Sequence, residues 1–150
     1  MRPAHANAIT PNTVEMRGII KAAVQKGGKI LVPAFAVGRT QQIVYHLMAM
    51  FRDREVEPFP IYIDSPMAIE ATKIYANHPE LFDEEAIRLA RAGQLNLDLH
   101  GVKTCATSDE SKALNHLEGP MLIIAGAGMC NAGRILHHLR NHLGKPGTTV

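Results

Sequence analysis

The residues best suited to holding an anion are concentrated between Leu122 and Leu139. An apolar run, Leu122 to Ala125, meets Gly126-Ala127-Gly128-Met129-Cys130-Asn131-Ala132-Gly133, and this meets a segment with Ile135, Leu136 and Leu139 at helical spacing. The unit reads strand, tight loop, helix. Gly126, Gly128 and Gly133 let the backbone come close to a ligand, and a helix start adds the positive end of its dipole, which together suit a phosphate. Gly128 is expected to stand where a Cβ would either demand a positive φ or block a phosphate. Arg134 and the pair His137 and His138 fall in or near the first helical turns. The same pattern also fits a packed strand-to-helix corner with no ligand.

Two further turns carry similar chemistry. Pro33 to Arg39 places Gly38 and Arg39 at a helix start after a strand, where an arginine can grip a phosphate with two N–H groups. Asp64-Ser65-Pro66 ends a strand, a position from which an aspartate can act as an acid or a ligand, and which an N-cap explains equally well. His138 and His142 stand at i, i+4 and can share a helix face, but no acidic or thiol partner lies at a matching spacing, so a zinc site built from this chain is not expected. Cys105 and Cys130 are too far apart for a metal knuckle and read as reduced thiols. No Walker A sequence is present. Gly126-Ala127-Gly128 resembles part of a dinucleotide fingerprint, with Asn131 at the third glycine position.

The elements that position these turns follow from periodicity and punctuation. Helices are expected over about 12–26, 38–53, 66–77, 108–117 and 131–143, and strands over 29–33, 61–63, 102–106 and 121–125. Residues 78–93 read as a helix pair broken by Pro79. Thr148-Thr149-Val150 looks like the start of another strand, so the chain is expected to be a piece of a longer protein. Strand and helix alternate throughout, which predicts an α/β fold with a mostly parallel sheet and helices on both faces. Ligands in such sheets sit beyond the carboxyl ends of the strands, and all three turns share that edge.

Composition sets the outer limits. A chain of 150 residues, 46% hydrophobic and 20% charged, describes one ordinary globular domain. No apolar run approaches the roughly 20 residues of a membrane helix, and the N-terminus lacks a signal-peptide core, so no membrane partner and a cytoplasmic location are expected. A net charge of +2 does not by itself mark a polyanion binder, so any hold on a polyanion must come from a local basic patch.

Three ordered segments carry a resemblance. Pro33-Ala34-Phe35-Ala36-Val37-Gly38-Arg39-Thr40-Gln41, Ile61-Tyr62-Ile63-Asp64-Ser65-Pro66-Met67-Ala68, and Gly128 to Leu139 resemble the β-CASP domain of metallo-β-lactamase-fold, RNA-processing nucleases. Glu110-Ser111-Lys112-Ala113-Leu114-Asn115 fits a lesser pattern of that family. The resemblance covers nearly the whole chain and implies a Rossmann-like lid domain, residues 1–150, whose first residues are linker from a metallo-β-lactamase domain absent from this chain. It further implies RNA as the substrate, cut in the cleft between the two domains by two zinc ions bound outside this chain. No His-x-His-x-Asp-His motif is present, so the chain alone is expected to be metal-free and inactive.

Carried over residue by residue, the resemblance implies RNA or phosphate contact by Arg39, Ser65, Gly128, Met129, Arg134 and His137, with Asp64 shaping its turn. Glu15 is the nearest candidate for the family's acidic residue that orients a catalytic histidine. The usual serine before Gly128-Met129 is Ala127 here, which removes one hydroxyl from the substrate side. Two other readings stay open at this point: a free-standing nucleotide- or cofactor-binding α/β module, and a scaffolding or homodimerising domain without activity.

Overall fold

In the computed structural model, residues 11–78 and 101–150 are described. Helix α1 spans Pro11–Lys26, strand β1 Lys29–Pro33, helix α2 Arg39–Arg52, strand β2 Ile61–Asp64 and helix α3 Pro66–Asn77. Strand β3 is Val102–Thr104, helix α4 Ser108–Ala113 followed by a 3₁₀ turn at Leu114–His116, strand β4 Met121–Ala125 and helix α5 Arg134–His142. The helix pair expected over 78–93 lies, apart from His78, outside the described residues.

The four strands are parallel in the order β1-β4-β2-β3. Both faces of the sheet are covered, so β4 reads as an unbroken apolar run with every residue buried. Alternate side chains still separate into two cores. Ile30, Ile61, Ile63, Leu122 and Ile124 pack with Ile20 and Ala23 of α1, Leu47 and Met50 of α2, and Ile69 of α3. Leu31, Tyr62, Met121 and Ile123 face the other way, against Leu114 and against Ile135 and Leu139 of α5.

Local chemistry explains the ends of the elements. The Ser65 hydroxyl accepts from the Ala68 N–H at 3.3 Å, and Pro66 occupies the first position of α3. The cap of α4 is Thr107, one residue before the expected start, in a reciprocal box with Glu110. Helix α5 begins at Arg134, three residues later than periodicity suggests, because Gly133 takes φ 77° and keeps the preceding turn non-helical. Strand β3 stops at Thr104, although the Cys105 N–H still reaches Ile63 O at 3.0 Å. At the opposite edge, Thr149 bridges to Ile30 of β1 in parallel, as the strand-like Thr148-Thr149-Val150 suggested.

Candidate functional site

Because β4 lies between β1 and β2, the connections after these strands diverge and leave a crevice at the carboxyl edge. A cavity of about 400 Å³ occupies it, lined by residues 34–36, 64–67, 126–128 and 132–134. The three turns singled out by their glycines and charges therefore do meet. Asp64, Ser65, Gly128 and Arg134 line the cavity, whereas Arg39, Met129 and His137 are exposed and stand outside its wall. Glu15 is exposed on α1 and takes no part in the cavity.

The 126–133 turn is closed by its own backbone. Ala127 N–H donates to Ala132 O at 3.1 Å, Cys130 N–H to Ala127 O at 3.0 Å, and Ile135 N–H to Gly126 O at 3.0 Å. Gly128 and Met129 donate no backbone hydrogen bond among the described residues, and Met129 is 72% exposed. The position that tolerates no side chain is Gly133, where a Cβ would lie 2.3 Å from Gly126 O. Gly128 does not have the positive φ offered as one reason for it. Its Cβ would instead crowd Phe35, at 3.1 Å from the backbone nitrogen and 3.2 Å from two ring carbons. Close packing of the β1 turn against the β4 turn accounts for this glycine.

Beneath the cavity lies a buried polar assembly centred on Asp64, whose side chain is fully buried. Its carboxylate accepts from Ser111 Oγ at 2.5 Å, Arg134 Nη1 at 2.7 Å and His138 Nε2 at 2.6 Å. A carboxylate only accepts, so His138 must carry its proton on Nε2. Burial alone would push the Asp64 carboxyl up, but the hydrogen bonds from His138, Ser111 and Arg134 outweigh it and hold the group below its ordinary value. Asp64 is thus held as an anion at neutral pH and ties the end of β2 to α4 and α5.

Arg134, expected on phosphate, is turned inward. Besides Asp64 it donates to Cys105 O at 2.8 Å and Ala106 O at 3.0 Å, so three of the five guanidinium N–H groups serve the fold. The other two donate no hydrogen bond among the described residues. His138 and His142 do share a face of α5, with rings 6.4 Å apart and 16° from parallel. That face is buried. His142 Nε2 lies 2.9 Å from Asn115 Oδ1 and 3.3 Å from Lys29 Nζ. Burial and the Lys29 and Lys145 cations push His142 down to about 4, and burial with Lys145 lowers Lys29.

The acidic partner of His138 is real but lies 74 positions away, beyond the reach of local spacing. Ser111 belongs to the Glu110–Asn115 pattern, and it too is linked to Asp64 only through the tertiary fold. Among the described residues no group of three His, Cys, Asp or Glu side chains is placed to hold a metal ion. The nearest grouping, Asp64 with His138, has its carboxylate already taken by Ser111 and Arg134. Cys105 is buried, and burial with the Asp64 and Glu110 carboxylates pushes its thiol up to about 11, so it stays protonated and inert.

A crevice where a parallel sheet reverses its strand order, rimmed by the starts of α3 and α5, defines an α/β domain of the doubly wound class. More narrowly, the Beta-Casp domain profile matches residues 40–150, and the chain belongs to the β-CASP family. Ribonuclease TTHA0252 of Thermus thermophilus is 38% identical over 132 residues, covering 88% of this chain and 30% of that protein. The probable RNase MJ4 of Methanocaldococcus jannaschii is 32% identical over 95% of this chain and 32% of its own length. The transcription termination factor FttA of Methanosarcina mazei is 28% identical over 97% of this chain and 24% of its own length. The chain thus spans about a third or less of these relatives. No helix among the described residues is long and apolar enough to cross a membrane.

Proposed function

We propose that this chain is the substrate-binding lid of a zinc-dependent, metallo-β-lactamase-fold ribonuclease, and that it holds single-stranded RNA by its phosphates along the carboxyl edge of the sheet. The observation that carries the reading is the pairing of donors without partners at Gly128 and Met129 with an open cavity beside them. Two relatives bearing the name ribonuclease or RNase support RNA as the polyanion. In this reading Arg39 and His137, both exposed, meet phosphates from outside the cavity, and Ser65 meets one within it. Asp64 shapes the site from below and never touches the substrate.

Zinc does not fit the described residues, since His138 and His142 are paired with Asp64 and Asn115 and no three ligands come together. The ions belong in this proposal to a metallo-β-lactamase domain of the same protein, and no step of the cleavage is carried by this chain. Removal of zinc from the intact protein with a chelator is expected to abolish RNA cleavage while binding persists. The isolated 150-residue chain should take up no stoichiometric zinc, measured by elemental analysis after dialysis, and cleave no RNA. Tight binding of a mononucleotide with no gain from a longer oligoribonucleotide would instead favour a nucleotide-binding module.

A further inference from the structure

The segment between β1 and α2 carries an aromatic ring that the phosphate reading leaves without a role. Phe35 is 58% exposed, an arrangement that keeps a large apolar surface in water. Its backbone is nevertheless held firmly. Ala34 N–H donates to Ala125 O at 3.1 Å, Thr40 Oγ1 to Phe35 O at 2.8 Å, Gln41 Nε2 to Ala36 O at 3.1 Å, and Gly38 N–H to Gln41 Oε1 at 2.7 Å. One edge of the ring, Cδ2 and Cε2, lies where a Cβ on Gly128 would come within 3.2 Å of it. It stands in the wall of the 400 Å³ cavity, beside the turn whose Gly128 and Met129 N–H groups have no partner.

A nucleotide has two halves, an anion and a flat apolar ring. The structure sets the matching halves side by side: the Gly128 and Met129 backbone donors for the one, and the exposed ring of Phe35 in the cavity wall for the other. We infer that Phe35 is a stacking platform for one base of the bound single strand, adjacent to the phosphate held at the 126–133 turn. This rests on the reading of the edge as an RNA site and adds to it a subsite that recognises the base plane. Stacking accepts every base, so Phe35 contributes affinity and register without sequence preference.

The test uses the intact protein and oligouridylates of equal length in which one nucleotide at a time is replaced by an abasic ribose, so that the phosphates are unchanged. Binding is followed by fluorescence anisotropy. In the wild type one position is expected to weaken by at least about fivefold when the base is removed, the lower end of what stacking on an aromatic contributes. Phe35→Ala should lose that position's sensitivity, Phe35→Trp should keep it, and both should keep the dependence on salt. Equal sensitivity to the abasic position in wild type and Phe35→Ala overturns the platform and leaves the phosphate reading standing. No binding of any oligonucleotide by the wild type overturns both. If Phe35 is covered by another part of the same polypeptide, Phe35→Ala will lower the melting temperature of the intact protein without altering the abasic profile, which also overturns it.

Discussion

Arg39 and Arg134 occupy the same local position and have opposite fates. Each is the first residue of a helix, each follows a glycine with positive φ, 85° at Gly38 and 77° at Gly133, and each stands at the carboxyl edge of the sheet. Arg39 is exposed and makes no ion pair or side-chain hydrogen bond among the described residues. Arg134 is drawn onto Asp64 and the carbonyls of Cys105 and Ala106. The difference lies in what the neighbouring strand presents. β4 is paired with β2, so the helix after β4 starts over the buried Asp64 carboxylate, while α2 starts beside the edge strand β1. A glycine–arginine pair at a helix start therefore marks a cation at the edge, and only the sheet order decides whether it serves ligand or fold.

The strongest test of that contrast removes the carboxylate. Asp64→Ala leaves the half-buried Arg134 guanidinium and the buried His138 imidazole without their anion, and is expected to cost about 3–5 kcal/mol in denaturant unfolding. A loss below about 1 kcal/mol, the range of an exposed ion pair, would show that the assembly is solvated and that the two arginines do not differ in kind. The glycines come next. Gly133→Ala brings Cβ to 2.3 Å from Gly126 O and should cost more than about 3 kcal/mol, since backbone must move as well as adopt a disfavoured φ. Gly38→Ala meets nothing within 4 Å and should cost only the conformational strain, about 1 kcal/mol.

The arginines themselves should then divide stability from binding. Arg134→Ala is expected to lower stability by about 1.5–3 kcal/mol, the worth of hydrogen bonds to a charged group. Arg39→Ala should change stability by no more than about 0.5 kcal/mol, yet weaken RNA binding and reduce the salt slope by roughly one unit. A salt slope reduced as much by Arg134→Ala in protein still folded would place both guanidinia on phosphate and erase the distinction.

A separate effect is one of pH. His142 is held down to about 4 from 6.5, so over that interval the unfolded chain binds a proton that the folded chain does not. Stability from this group is complete above pH 6.5 and is lost as pH falls toward 4. Asp64, lowered as well, adds its own loss only at more acid pH, when the carboxylate finally protonates. His142→Gln should flatten the decline between pH 6.5 and 4 in a series of melting curves and leave the more acid limb in place. An unaltered decline would assign it to other groups.

Much of this architecture was legible in the chain because parallel strands covered on both faces are written as short apolar runs, and their helices are bounded by Ser65-Pro66, Gly27-Gly28 and Gly38. The edge on which the turns meet follows from alternation alone. The partners of Asp64 do not. Ser111 is 47 positions away, Arg134 70 and His138 74, and nothing in local spacing says which helix will lie over the end of β2. The late start of α5 was hidden for a related reason: Ile135 N–H is committed to Gly126 O across the turn, a closure that periodicity does not register. The crowding of Gly128 by Phe35 joins two turns 93 positions apart and was equally invisible.

The order in which the strands pair bears on how the chain is made. Among the described residues β1 pairs only with β4 and the Thr149 bridge, and Lys29 of β1 meets Met121, about ninety positions later. At translation rates of about 5–20 residues per second, β1 waits roughly 5–20 s on the ribosome for its neighbour. β2 has β3 to pair with in the interval, but the Ile30-Leu31-Val32 run of β1 has no strand beside it until the central strand emerges. Long-range parallel pairing of this kind is slow and leaves apolar surface uncovered while it waits. The nascent domain should therefore be most prone to chaperone capture or aggregation after synthesis of β1, with the liability ending when residues 121–125 leave the exit tunnel.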